Sequence, residues 1–246
     1  NEYGKMSVNI IGQEKLMNEI NTYTLSTLPH SVLLVGKKGC GKYMLVHYLS
    51  KKFNLEFKDI TDIISLDLIN DIYLNPIPLI YVIAIERISV KEENALLKLV
   101  EEPPKNAFII ILAENKSQVL PTIINRCQVF IYSEYNKETL KLFTLDENIL
   151  NIAQTPGDIT KLTEVKDLNN YLDLANKIYD RIEIYVRKDT NIKNRIEEHC
   201  LEYGYLNENG INKNKKTNRA ALLVKAIETQ MAIDRGELKV VKVDGE

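Results

Sequence analysis

A short apolar run, Ser31–Val35, leads directly into a basic, glycine-rich loop and then into a stretch whose apolar residues recur at helical spacing. The loop reads GKKGCGK at residues 36–42 and fits the pattern Gly-x-x-x-x-Gly-Lys. In this pattern the glycines let backbone N–H groups surround an anion, the following helix adds positive potential, and the lysine reaches the outer phosphates. The sequence therefore predicts a buried strand, a phosphate-binding loop and a helix over residues 40–53. The predicted phosphate-binding residues are Gly36, Gly39, Gly41 and Lys42.

Two positions that hold Mg²⁺ in working loops of this kind carry other residues here. The residue after the loop lysine is normally Ser or Thr, whose hydroxyl is a metal ligand, and here it is Tyr43. The next predicted buried strand, residues 79–85, has an apolar tip where an acidic residue is expected, and Glu86 follows too late along the chain. We therefore predict no metal site and no required cofactor, with at most weak binding of ATP or ADP without productive Mg²⁺. Glu86 is interpreted as the partner of Arg87 or Lys91 in a surface ion pair.

Further apolar runs alternate with amphipathic stretches as far as about residue 133. The runs are typical of strands that are buried on both faces, and a helix is predicted at residues 92–102, between the runs at 79–85 and 108–112. Because parallel strands need helical crossovers, this alternation predicts an α/β fold with a parallel sheet. The four predicted strands cover residues 31–35, 79–85, 108–112 and 128–132.

Composition divides the chain into three predicted domains, at residues 1–133, 134–167 and 168–246. The second is small and helical, with helices at 137–143 and 148–154 and a breaker at Pro156-Gly157. The third is polar, charged and all-α, with helices at 168–187, 192–203 and 218–236. A basic cluster near the start of the last helix is interpreted as a solvated loop rather than a DNA contact, and its members are Lys213, Lys215, Lys216 and Arg219.

Charge and cysteine content limit the surroundings and partners of the chain. The 32 basic and 34 acidic residues give a net charge of −2, which argues against nucleic-acid binding over the whole surface. The three cysteines, Cys40, Cys127 and Cys200, are widely spaced and odd in number, which argues against a disulfide framework. No apolar run approaches the ~20 residues that span a bilayer, and residues 1–5 lack the pattern of a secretory signal. These features predict a cytoplasmic protein with no membrane partner.

Three stretches of sequence together resemble one protein family. They read IIGQE at residues 10–14, NALLKLVEEPP at residues 94–104 and LPTIINRCQ at residues 120–128. They are similar to the AAA+ core of the bacterial clamp-loader subunits of DNA polymerase III, the gamma/tau and delta-prime family. The resemblance covers about residues 8–133. It implies a P-loop NTPase-like AAA+ core, followed by a small helical lid domain and an all-α C-terminal collar.

The resemblance also implies which kind of subunit this chain is. Gamma-type members carry a complete phosphate loop, an Asp-Glu strand tip and a nucleotide-sensing arginine in the lid, whereas the matching positions here are Tyr43, Ile83-Ala84 and Gly157. This pattern is similar to delta prime and implies a structural subunit without ATPase activity of its own. Its implied partners are the gamma/tau and delta subunits, and through the complex the sliding clamp and primed DNA. The isolated chain can then be a monomer that joins a hetero-oligomer with these subunits.

Arg126 is the residue to which the resemblance assigns a catalytic role. The Ser-Arg-Cys motif of the family reads Asn125-Arg126-Cys127 here. In the family this arginine projects into the ATP site of the neighbouring subunit, as an arginine finger in trans. The alternative interpretation is a surface cation that caps the sheet edge of its own domain.

Two other functions stay open on the sequence alone. The complete set of loop glycines together with Lys42 favours an active or weakly active gamma-type subunit that binds ATP. An interaction module outside replication that reuses the AAA+ core is the third hypothesis, because a fold does not by itself determine a function.

Overall fold

The computed structural model describes residues 10–165 and the further positions 168, 169, 173, 227, 232, 235 and 236. The chain divides into two compact units, Asn1–Glu134 and Tyr135–Glu246. Among the described residues, no helix is long and apolar enough to cross a membrane. The basic cluster and most of the three helices predicted beyond residue 167 lie outside the described residues. The collar and the predicted domain boundaries therefore stay predictions.

A parallel sheet of five strands forms the centre of the first unit. Its strands are β1 (Ser31–Val35), β2 (Glu56–Asp59), β3 (Leu79–Ala84), β4 (Ala107–Ala113) and β5 (Gln128–Ile131). They lie in the order β2-β3-β4-β1-β5, and every neighbouring pair is parallel. The predicted α/β class with a parallel sheet is confirmed, and so are all four predicted strands, with shifts of one residue at some ends.

The inner strands are apolar because they are covered on both faces. Every residue of β1 and β4 is buried, and in β3 only Leu79 is partly exposed. β2 was not predicted: it lies at an edge, pairs only with β3, and consists of exposed or half-buried residues with three charges among four positions. The carboxyl ends of all five strands meet at one edge of the sheet, which is where ligands bind in folds of this kind.

Five helices accompany the sheet: α1 (Glu14–Thr22), α2 (Lys42–Phe53), α3 (Leu66–Leu74), α4 (Val90–Glu101) and α5 (Pro121–Ile124). Helix α2 begins two residues later than predicted, because Gly41 at its N-cap has a left-handed φ of 99°. Helix α4 begins earlier than predicted, at a capping box formed by Ser89 and Glu92. Its Leu96 and Leu99 lie fully buried in the same core as the inner strands.

The described part of the second unit contains α6 (Lys137–Leu140), α7 (Glu147–Ile152) and α8 (Pro156–Thr163). The interpretation of Pro156-Gly157 as a breaker is wrong, because these residues form the first turn of α8. Proline is well accommodated there, since the N–H that it lacks has no partner within a helix at that position. Thr155 and Asp158 cap this helix reciprocally.

Candidate functional site

The phosphate loop lies between β1 and α2 and contains all four residues predicted to bind phosphate. Gly39 and Gly41 have φ values of 80° and 99°, a left-handed conformation that only glycine adopts without strain. The ammonium group of Lys42 donates to the carbonyl oxygen of Gly36 and, at 3.2 Å, to that of Lys37. Although it is a lysine, Lys42 is only 9% exposed. The structure therefore brings the glycines and the lysine charge together in one turn, as a phosphate-binding loop requires.

Tyr132, the residue after β5, supports this loop from the neighbouring strand. Its hydroxyl donates to the carbonyl oxygen of Gly41 at 3.1 Å. Its Cβ lies so close to Gly36 that a Cβ at that glycine would come within 2.7 Å of it and equally close to Cys40 Sγ. Burial raises the pKa of the Cys40 thiol to about 11, so this side chain is a neutral packing group in the loop at physiological pH. The sequence motif indicated the glycines but not the tyrosine that packs against them.

Tyr43 occupies the position of the usual metal-binding hydroxyl, but its phenol reaches away to the end of another strand. The hydroxyl donates to Asp59 Oδ2 at 2.5 Å. The other carboxylate oxygen of Asp59 accepts from the backbone N–H of Thr61 at 2.9 Å and from its hydroxyl at 2.5 Å. Burial and the contact with Asp59 raise the pKa of Tyr43 to about 12. The phenol is therefore a neutral donor to a charged acceptor.

Arg87 completes this cluster from the turn after β3. Its guanidinium contacts Asp59 at 3.1 Å and Asp62 at 3.3 Å. The predicted ion pair of Glu86 with Arg87 or Lys91 is not found among the described residues, where Arg87 instead pairs with Asp59 at the end of β2 and with Asp62 just after it. We call Tyr43, Asp59, Thr61 and Arg87 the tyrosine–aspartate cluster.

The residues at this edge of the sheet do not fit a Mg²⁺ site of the usual phosphate-loop kind. Ala84 at the tip of β3 has no side-chain oxygen, and its N–H donates to the hydroxyl of Thr61 at 3.0 Å. The hydroxyl of Tyr43 is committed to Asp59. Within residues 10–165 and the other described positions, no group of three or more His, Cys, Asp or Glu residues could hold a metal ion.

Removing the hydroxyl of Tyr43 should lower the free energy of unfolding by an amount that depends on the pH. Tyr43→Phe is expected to lower the free energy of unfolding by about 1 kcal/mol near neutral pH, because the charged Asp59 loses a donor. Burial acts to raise the pKa of Asp59, but the hydrogen bonds from Thr61 and Tyr43 and the charge of Arg87 outweigh it, so the pKa lies below its usual value. A carboxylate whose pKa is lower in the folded state than in the unfolded state stabilises the fold at pH values above its unfolded-state pKa. This stabilisation is lost as the pH falls through the folded-state pKa.

Urea unfolding at about pH 7 and about pH 3 would measure this difference. Tyr48→Phe is a matched control on the same helix, since the hydroxyl of Tyr48 donates to the neutral side chain of Asn21. We expect the stability loss of Tyr43→Phe to shrink at the lower pH and that of Tyr48→Phe to stay constant. An equal loss of stability for Tyr43→Phe at both pH values would contradict a hydrogen bond from Tyr43 to a charged Asp59.

Arg126 lies two residues after the end of α5, on the surface of the first unit. Its Nη1 donates to the carbonyl oxygen of Thr122 at 2.8 Å, and its Nη2 contacts Glu101 Oε1 at 2.9 Å. Its side chain remains 35% exposed. The guanidinium thus has partners in its own domain, as the surface-cation alternative expects, and the finger role stays a prediction. Glu101 lies in the stretch NALLKLVEEPP and Tyr43 follows the phosphate loop, but no local motif indicated that Glu101 contacts Arg126 or that Tyr43 contacts Asp59.

The chain resembles known replication proteins in sequence. A family model described as "DNA polymerase III, delta subunit" matches residues 67–135. The delta-prime subunit of DNA polymerase III from Haemophilus influenzae is 30% identical over 115 residues, which are 42% of this chain and 35% of that protein. The gamma subunit from Buchnera aphidicola is 27% identical over 169 residues, which cover 54% of this chain and 47% of that protein. The chain thus spans between about a third and a half of the length of these relatives.

Solved structures share the fold at lower identity. A Thermotoga maritima RuvB variant aligns with a TM-score of 0.51 and 16% identity over 94% of this chain and 90% of its own. A second RuvB variant gives a TM-score of 0.51 and 17% identity over 68% and 65% of the two chains. With the parallel sheet, this likeness confirms the predicted AAA+ core. The predicted resemblance to the AAA+ clamp-loader subunits of DNA polymerase III, the gamma/tau and delta-prime family, is confirmed as well.

Proposed function

We propose that this chain is a structural clamp-loader subunit of the delta-prime kind, without ATPase activity of its own. It joins gamma/tau and delta subunits in a cytoplasmic complex that places a sliding clamp on primed DNA. In that complex it supplies Arg126 to the ATP site of a neighbouring subunit. The loop residues Gly36, Gly39, Gly41 and Lys42 hold a nucleotide weakly or serve only to shape the domain.

The observation that carries the proposal is the hydrogen bond from the Tyr43 hydroxyl to the carboxylate of Asp59. The Tyr43 hydroxyl donates to the Asp59 carboxylate at 2.5 Å, and Arg87 pairs with the same carboxylate. Because the hydroxyl is engaged in this contact, it does not serve as a metal ligand. The tip of β3 offers Ala84 in place of an acidic residue. Without a metal to bridge phosphate oxygens, phosphoryl transfer loses one of its main sources of charge stabilisation.

The position of Arg126 supports action on a neighbouring subunit rather than on its own loop. Arg126 stands just before the amino end of β5, whereas Tyr132 follows the carboxyl end and contacts the phosphate loop. The four residues of β5 span about 13 Å at about 3.3 Å per residue. The arginine and the loop of one chain therefore lie at opposite ends of a strand, and the arginine cannot serve its own loop.

The contacts of Arg126 also leave it able to bind phosphoryl oxygens. A guanidinium has five N–H donors, and Thr122 and Glu101 accept only two bonds from it in the described structure. Its planar fork suits the charge that develops on a transferring phosphoryl group.

A gamma-type subunit that hydrolyses ATP is the second candidate. The left-handed Gly39 and Gly41 and the enclosed ammonium group of Lys42 favour it, since they are the parts of a working loop that bind phosphate. Gamma and tau subunits are also among the relatives in sequence. This candidate requires a metal ligand that neither Tyr43 nor Ala84 supplies.

ATP turnover and nucleotide binding by the purified full chain would separate the two candidates. We expect no turnover above the rate in buffer, and an affinity for labelled ATP that Mg²⁺ leaves unchanged, because neither Tyr43 nor Ala84 at the tip of β3 supplies an oxygen to hold the ion. A chain with Lys42→Ala serves as the control for binding at the loop. Sustained turnover that depends on Mg²⁺ would overturn the proposal and establish the gamma-type activity.

An interaction module outside replication is the remaining alternative. Purified gamma/tau and delta subunits should form a stable complex with the chain in gel filtration if the proposal is correct. Failure to associate with these subunits would contradict the clamp-loader assignment.

A further inference from the structure

Helix α4 contacts both ends of the short segment that carries Arg126. Near its start, Glu93 accepts from the backbone N–H of Leu120, the residue before α5, at 2.5 Å. At its end, Glu101 contacts the guanidinium of Arg126 at 2.9 Å. The two glutamates are eight positions apart on one helix, and the segment between Leu120 and Arg126 lies against it.

The contact at Glu93 fixes the segment rigidly. Glu93 is buried, and burial raises its pKa, while the hydrogen bond from Leu120 acts in the opposite direction. Ile123 of α5 is fully buried in the core that includes Leu96 and Leu99 of α4. The backbone that carries Arg126 is therefore held to α4 by packing and by a partly buried hydrogen bond.

The contact at Glu101 fixes the side chain rather than the backbone. Thr122 and Glu101 hold the two terminal nitrogens of the same guanidinium, which defines the plane of the group. Without Glu101, the long arginine side chain would be held at only one nitrogen and would sample more rotamers. Glu101 is 54% exposed and the Arg126 side chain 35%, so the pair lies at the surface.

The geometry points to Glu101 as a positioning residue for Arg126. It orients the guanidinium on α4 so that the remaining N–H donors are presented to the ATP of the neighbouring subunit, and this inference rests on the proposed function. The opposite role, in which Glu101 withholds the arginine, is disfavoured by the exposure of the pair. An exposed ion pair is individually weak and would compete poorly with the multiple charges of a triphosphate.

The test is ATP turnover by the complex reconstituted from the full chain, gamma/tau and delta subunits, a sliding clamp and primed DNA. Glu101→Ala is expected to lower kcat roughly tenfold with KM for ATP unchanged, because a misplaced catalytic group costs rate rather than binding. Glu101→Gln keeps an acceptor oxygen for Arg126 and should lose less. Glu102→Ala removes the same charge from the next residue, which forms no ion pair in the described structure, and should leave the rate unchanged.

Each outcome has a definite meaning when Arg126→Ala is measured beside these variants. A reduced rate with Arg126→Ala and an unchanged rate with Glu101→Ala would overturn the positioning role and leave the proposed function standing. A faster rate with Glu101→Ala would show that the glutamate withholds the arginine, which also overturns the inference. Unchanged rates with both variants would overturn the proposed finger role itself.

Discussion

Replacement of Arg126 by alanine is expected to lower ATP turnover of the reconstituted complex by about 10³-fold or more while the complex still assembles. An arginine finger stabilises the negative charge that spreads over the transferring phosphoryl group, and it does so only in the transition state. The loss should therefore appear in kcat, with KM for ATP little changed. Arg126 is partly exposed and outside the buried core, so its removal should leave the fold intact.

The matched variant is Arg126→Lys, which keeps the charge but not the planar fork. Lysine is expected to restore only part of the rate, since it cannot form two parallel bonds to phosphoryl oxygens. Gel filtration would establish that both variants enter the complex. Full activity of an assembled complex that contains Arg126→Ala would remove the finger role and favour the surface-cation interpretation.

A single methyl group added at Gly36 is expected to lower the free energy of unfolding by about 1–3 kcal/mol, the usual cost of overpacking. The new Cβ would lie 2.7 Å from Tyr132 Cβ and 2.7 Å from Cys40 Sγ. Tyr132 Cβ is bonded directly to the backbone of the chain after β5 and cannot swing away. Urea unfolding of the Gly36→Ala variant would measure the loss.

Cys40→Ala and the double variant separate the two close contacts. If only Sγ obstructed the new methyl group, Gly36→Ala would cost nothing in the Cys40→Ala background. We expect most of the cost to persist there, because the contact with Tyr132 is unchanged. At an unstrained site, a change from glycine to alanine stabilises a protein by ~0.4–1 kcal/mol. If the Gly36→Ala variant were more stable than the parent by this amount, the packing described for the loop would be contradicted.

The sequence identified those parts of the fold that leave a local signal. β1, β3 and β4 could be predicted because strands covered on both faces are continuous apolar runs. β2 could not, because an exposed edge strand with alternating charges has no such run. The start of helix α8 is harder to predict, because proline breaks a helix at most positions and only the capping pair formed by Thr155 and Asp158 indicates that Pro156 begins one.

The candidate site shows the same division between local and distant signals. The phosphate loop is contiguous, so its glycines and Lys42 could be recognised from spacing alone. The partner of Tyr43 could not, because Asp59 lies 16 positions away on the strand that was missed. Glu101 and Arg126 are 25 positions apart and meet only because α4 lies against the segment that contains α5.

The charged margin formed by β2 also limits how copies of this protein can meet. Along the outer side of this strand, backbone groups face no further strand among the described residues, and such an open margin could recruit a second sheet. Glu56, Lys58 and Asp59 would then lose contact with water, and charged residues on an edge strand are one way in which natural sheets avoid edge-to-edge aggregation. Self-association by extension of the sheet at the β2 edge is thereby discouraged.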